Sequence, residues 1–238
     1  MLASDGGRDM RQDSDLHASD HAGHRARLRD RLLGGGGLLD HELIEYLLMT
    51  AIPRRDTKPI AKALLREFHD IGGVLTADPI ALQRVDGVGE TAAATIKIAQ
   101  ACALRLVQAE ATKRPVLSNW QALLDYLHAD MAHHGVERVR VLHLNTRNML
   151  IRDELMGQGS VDQAPVYVRE VIRRAIDFGS AALILVHNHP SGDPSPSRAD
   201  IDVTRAIAEA GKRLGITVHD HIIIGTSGHV SLRAQGLI

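Results

Sequence analysis

The chain has 238 residues, 44% hydrophobic but only 3% aromatic, so any core is aliphatic. That length allows two modest domains, and a net charge of −1 removes any global electrostatic case for nucleic acid. No apolar run reaches the ~18 residues of a membrane span, and the polar start MLASDGGRDMRQDSD lacks the apolar core of a signal peptide, so a cytoplasmic protein is expected.

Residues 1–20 carry two basic against five acidic side chains and read as a disordered tail. Residues 21–114 read as an all-helical domain. Leu28, Leu32 and Leu33 begin an apolar face that Gly34–Gly37 interrupts. Asp40 is placed to cap a helix over His41–Met49, which Pro53 closes. Pro59–Phe68, a short Pro79–Arg84 and a long Thr91–Ala109 follow, the last entered through a tight Asp86-Gly87-Val88-Gly89 turn. Cys102, the single cysteine, suits a reducing compartment and is expected to be a buried small hydrophobe.

Lys113-Arg114-Pro115 marks the junction with a second domain, residues 115–238. Ser118-Asn119-Trp120-Gln121 has the form of a capping box opening a helix to about His133. Val139–Leu144 and Met149–Leu155 are strands joined by the turn at Asn145–Asn148, and Val168–Phe178 is an amphipathic helix. Ala182–Val186 is a short apolar strand ending at His187. Arg198–Leu214 is helical, and Ile216–His219, His221–Gly225 and His229–Leu232 are short strands. This succession is α/β.

The chemistry concentrates in His187–Asp200, HNHPSGDPSPSRAD. His187 and His189 are two apart on extended chain and so share a face. Asp200 begins the next helix, after a loop stiffened by Pro190, Pro194 and Pro196. Two His and one carboxylate form a catalytic rather than a structural zinc set, in which the ion acidifies water to a pKa of roughly 7. Each pair alone has a plainer reading: His-x-His decorates strand ends, and Ser197-x-x-Asp200 is also a helix cap. Rival metal folds fail. Ser191 stands where a metallo-β-lactamase-like site needs Asp, one cysteine excludes a zinc deaminase, and no His-Glu-x-x-His occurs.

His187-x-His189, with Ser197 and Asp200 following, resembles the JAMM (MPN+) metalloprotease motif, and the wording HNHPSGD with PSRAD resembles its bacterial RadC (UPF0758) branch. The resemblance extends to Pro165-Val166-Tyr167, Ala182–Val186, His219-Asp220-His221-Ile222-Ile223-Ile224-Gly225 and Ser231-Leu232-Arg233. In the first half it takes in Asp40-His41-Glu42-Leu43 and the Gly87-Val88-Gly89 turn. It implies a JAMM/MPN-type, cytidine-deaminase-like α/β domain with a mixed sheet flanked by helices. It further implies one zinc held by His187, His189 and Asp200, Ser197 stabilising an oxyanion, Glu137 as general base, and a peptide or isopeptide substrate. Without the resemblance, Glu137 is an ordinary residue before a strand. Glu154, Asp153, Asp162 and His143 have no spacing that demands a role. His219 and His221 fit either hydrogen bonds behind the ligands or a turn between strands.

Val85–Gly89 with its following helix resembles a helix–hairpin–helix, whose glycine turn meets a DNA phosphate without reading sequence. It departs from that pattern at Glu90-Thr91-Ala92, where a Lys or Arg is usual, and residues 21–115 hold 14 Lys and Arg against 11 Asp and Glu. Weak, salt-sensitive DNA binding and a helical interaction module both remain open for this half.

Overall fold

A computed structural model describes residues 23–159 and 166–238. Two compact units divide between Gln100 and Ala101.

The first unit is helical. Residues 23–33 form α1, followed by α2 (Asp40–Ala51), α3 (Lys58–Phe68), α4 (Ile71–Thr76), α5 (Pro79–Gln83) and α6 (Glu90–Thr112), whose second half belongs to the other unit. Ile44, Leu48, Ile60, Leu64, Val74, Leu82 and Ile96 meet in an aliphatic core. Three details differ from expectation. Leu39, not Asp40, is the N-cap of α2, and its N–H is taken by the Glu42 carboxylate. The short α4 has no sequence signal because it contains Gly72 and Gly73, poor helix formers. It forms because Asp70 caps it through the Gly73 N–H, and Gly73 is needed there because a side chain would collide with the Phe68 carbonyl. Gly87 takes φ +87° in the hairpin before α6, with Ile60 packed where a Cβ would stand. Cys102 is exposed, not buried, since the buried clusters claim Ile96 before it and Ala111 after it.

The second unit is a five-stranded mixed sheet between helical layers. A 3₁₀ turn (Val116–Ser118) leads to α7 (Trp120–Met131), then β1 (Glu137–Leu144), β2 (Leu150–Gly159), α8 (Val168–Asp177), β3 (Ala182–Asn188), α9 (Arg198–Lys212), β4 (Thr217–Gly225) and β5 (Gly228–Ser231). Strand order is β2-β1-β3-β4-β5, with only β3–β4 parallel. The Ser118 capping box does not form. The Ser118 hydroxyl donates to the Pro115 carbonyl inside the 3₁₀ turn, and α7 starts without a side-chain cap.

One sheet face carries Leu142, Leu144, Ile184, Val186, Ile222 and Ile224 against α7 and the end of α6. The other carries Val141, Leu183, Leu185 and Val218 against α8 and α9. β3 is buried along its whole length, so it reads as an apolar run without alternation. β4 is one strand where the sequence suggests two. Its register against β3 steps from Val218 to Asp220, leaving His219 as a bulge. The buried Asp220 carboxylate is satisfied there by the His221 and Arg233 N–H groups and the Ser231 hydroxyl. Among the described residues no helix is long and apolar enough to cross a membrane. The tail assigned to residues 1–20 and the candidate Asp162 lie outside the described residues.

Candidate metal centre

β3 delivers His187 onto the α8–α9 face of the sheet, buried to 2% exposure. The chain then leaves the strand, the His189 N–H donating to the Ile224 carbonyl of β4. Asp200 comes from the first turn of α9, where Ser197 and Asp200 form a reciprocal capping box. The three side chains converge, with one ligand atom from each lying within 4.8 Å of the others.

Hydrogen bonding settles which ring nitrogens face the centre. His189 Nδ1–H donates to the Asp193 carbonyl at 2.8 Å, because that oxygen only accepts. Behind His187 a chain runs inward. The Thr204 hydroxyl has one proton, and the Asp200 backbone carbonyl takes it. His221 Nδ1–H then donates to Thr204 Oγ1 at 2.6 Å, and His221 Nε2 is left to accept His187 Nδ1–H at 2.8 Å. Burial holds His221 well below the usual imidazole range, and burial likewise pushes His187 down to about 4, partly opposed by Asp200. Both rings behind the chain are therefore neutral near pH 7. His187 Nε2 and His189 Nε2 face each other at 2.9 Å as lone pairs, an arrangement that a shared proton or a cation relieves.

The spacing suits a divalent ion. Donors around a tetrahedral zinc with bonds of ~2.0–2.1 Å stand roughly 3.3 Å apart. Beside the 2.9 Å pair, His187 Nε2 is 3.4 Å from Asp200 Oδ1, and His189 Nε2 is 3.9 Å from Asp200 Oδ2.

Glu137 opens β1, one pleat beyond Val139, the partner of His187 in the antiparallel β1–β3 ladder. It thus lies on the same face as the cluster. Burial, and next the Asp200 carboxylate, push its pKa up, with His189 opposing. The Ser197 hydroxyl donates to Asp200 Oδ2 at 2.6 Å. The weaker candidates fall elsewhere. Asp153 binds Arg140 and Tyr126, while Glu154 pairs with Arg174 beside the buried His143. His219 meets Asn148 in the β1–β2 turn. His221 is the hydrogen-bond partner of a candidate ligand, which its His-x-His spacing left open. Thr204 went unnoticed, since nothing local ties it to a residue seventeen positions on.

The family model for the RadC-like JAB domain matches residues 117–237. The chain belongs to the RadC family. A UPF0758 protein of Rhodobacter capsulatus is 51% identical over 213 residues, 89% of this chain and all of that protein. A UPF0758 protein of Ruegeria pomeroyi is 50% identical over 217 residues, 90% of this chain and 97% of the other. The likeness thus runs well beyond the JAB domain into the helical unit. In this RadC-family chain the His-His-Asp cluster is compatible with a divalent metal site.

Proposed function

We propose that this chain is a zinc-dependent hydrolase of amide bonds, a peptidase or isopeptidase of the JAMM type. The observation that carries the reading is the convergence of two imidazole lone pairs and a carboxylate beside a second carboxyl, Glu137, whose pKa is raised. His187, His189 and Asp200 would hold one zinc per chain. Zinc at such a site supplies Lewis acidity and makes water a better acid. Glu137 accepts the proton of the attacking water as its oxygen adds to the substrate carbonyl carbon. It returns that proton to the amine nitrogen as the C–N bond breaks. A raised pKa suits a group that must both take and give a proton near neutrality. Ser197 is the donor proposed for the carbonyl oxygen. In the resting site its proton lies on Asp200, so this role requires the hydroxyl to turn.

Metal analysis of the purified protein tests the site: one zinc per chain in the parent and none in His187→Ala. Glu137→Gln is expected to keep the zinc and lose hydrolysis of any peptide or ubiquitin-like isopeptide that the parent cleaves. Zinc unchanged in His187→Ala refutes the ligand assignment.

A second reading concerns the helical unit, for which we propose weak, sequence-independent contact with DNA. It is supported by the Gly87 hairpin and by Lys58, Lys62 and Arg66, which are spaced four residues apart on α3. They line an open groove of about 670 Å³ with His41 and Leu65. Glu90 in the first turn of α6 works against it. Binding to a labelled duplex should fall steeply with salt; no binding at low salt removes this reading.

A further inference from the structure

The two ligand histidines flank an asparagine that points the other way. Asn188 is fully buried at the end of β3. Its Oδ1 accepts the Arg138 N–H at 2.9 Å, and its Nδ2 donates to the His134 and Val136 carbonyls, each at 3.2 Å. The amide orientation is forced, because an N–H needs the oxygen and two carbonyls need the NH₂. These three backbone groups surround Glu137.

The location explains the need. The backbone ladder between β1 and β3 ends at Val139–His187, although β3 stays paired with β4 on its other edge through Asn188. Glu137 therefore stands past the last rung, on a segment that β3 no longer pairs. β2 still pairs Glu137 and Arg138 on the other edge, but on the β3 side the backbone groups would lack protein partners and the strand end would be freer to fray. The Asn188 side chain replaces the missing strand.

Resting on the hydrolase reading, we infer that Asn188 is a positioning residue: it fixes the His134–Arg138 segment so that the Glu137 carboxyl is held at the metal centre. The same two-residue step of chain thereby sets ligands on one face of the sheet and the general base from the other. A side chain displaced by about 1 Å is enough to cost catalytic geometry. Asp at this position would keep the acceptor for Arg138 but turn an oxygen on two carbonyls, so it is not a conservative replacement.

The test uses cobalt(II) in place of zinc in the full-length chain, with the visible absorption followed against pH. The parent, Glu137→Gln, Asn188→Ala and Asn188→Asp are compared. Each variant is expected to bind one cobalt per chain. The Glu137→Gln profile should be displaced from the parent, and the Asn188 profiles should move toward it. If the Asn188 profiles coincide with the parent while Glu137→Gln differs, the positioning role is overturned and the hydrolase reading stands. If Glu137→Gln itself matches the parent, the base assignment fails and this inference falls with it. Amide exchange in the parent needs no variant. Arg138 should exchange at least about fivefold more slowly than a frayed strand end; unprotected exchange there overturns the clamp.

Discussion

Acid should destabilise the metal-free protein through His187 in a defined window. Above pH 6.5 the ring is neutral in both folded and unfolded chains, and it contributes nothing to pH dependence. Below 6.5 the unfolded ring takes a proton that the folded one refuses, because burial has lowered its pKa to about 4. Stability then falls with pH until the folded ring also protonates near 4. At 1.36 kcal/mol per pH unit, the interval is worth about 3 kcal/mol at its acid end. The ring is only 2% exposed, so solvent screening removes little of this. His221 is lowered by the same cause and acts in the same direction. The assay is urea unfolding of chelator-treated protein from pH 7 to 4.5. Trp120 fluorescence is the signal, as it is the single tryptophan and packs on the core from the first turn of α7. His187→Gln, which cannot titrate, is the reference. Parent stability should fall more steeply than the reference by about 1.2 kcal/mol per pH unit between 6 and 4.5. Equal slopes would refute the claim that His187 is held neutral by burial.

Thr204→Val keeps the shape but takes the acceptor from His221. Zinc affinity, read by chelator competition, should drop by roughly 10–100-fold with the circular dichroism spectrum unchanged. Gly225→Ala places a Cβ 2.2 Å from the Gly192 carbonyl oxygen and 3.0 Å from Pro194 Cδ. The loop between His189 and Ser197 must shift, so a loss of about 1–3 kcal/mol in unfolding free energy and weakened zinc binding are expected. Ser197→Ala removes the cap of α9 and should cost about 1 kcal/mol in the same urea assay. Unchanged stability would show that the Asp200 half of the box suffices. Ile184→Ala, at a fully buried position in the sheet, should cost about 2–5 kcal/mol.

What the sequence disclosed and what it hid divide along a physical line. The ligand set was legible because its parts are local: a buried strand that reads as an apolar run, a His-x-His at its end, and a capping box that opens eight residues after His189. Glu137 was legible only by resemblance, since its proximity to Asp200 depends on the pairing of β1 with β3. Thr204 and Asn188 were not legible at all. Their partners lie seventeen and fifty or more residues away, and no local pattern reports such pairs. Misjudged elements follow the same rule. α4 forms against its glycines because tertiary packing and Asp70 hold it. The Ser118 box is passed over because the 3₁₀ turn uses the serine first.

The bulge at His219 has a further consequence, one of parity. In an uninterrupted strand Val218 and His221, three residues apart, would point to opposite faces. The extra residue puts both on the α8–α9 face and sends Ile222 and Ile224 to the α7 side. Whether His219 bulges or enters the ladder thus decides whether an imidazole or an isoleucine stands behind His187. Drawing His219 into the ladder would trade the two sides of everything downstream in β4, leaving a hydrocarbon behind the metal ligand and an imidazole in the aliphatic layer. Keeping His219 out of the ladder is therefore as much a part of the metal centre as the ligands are.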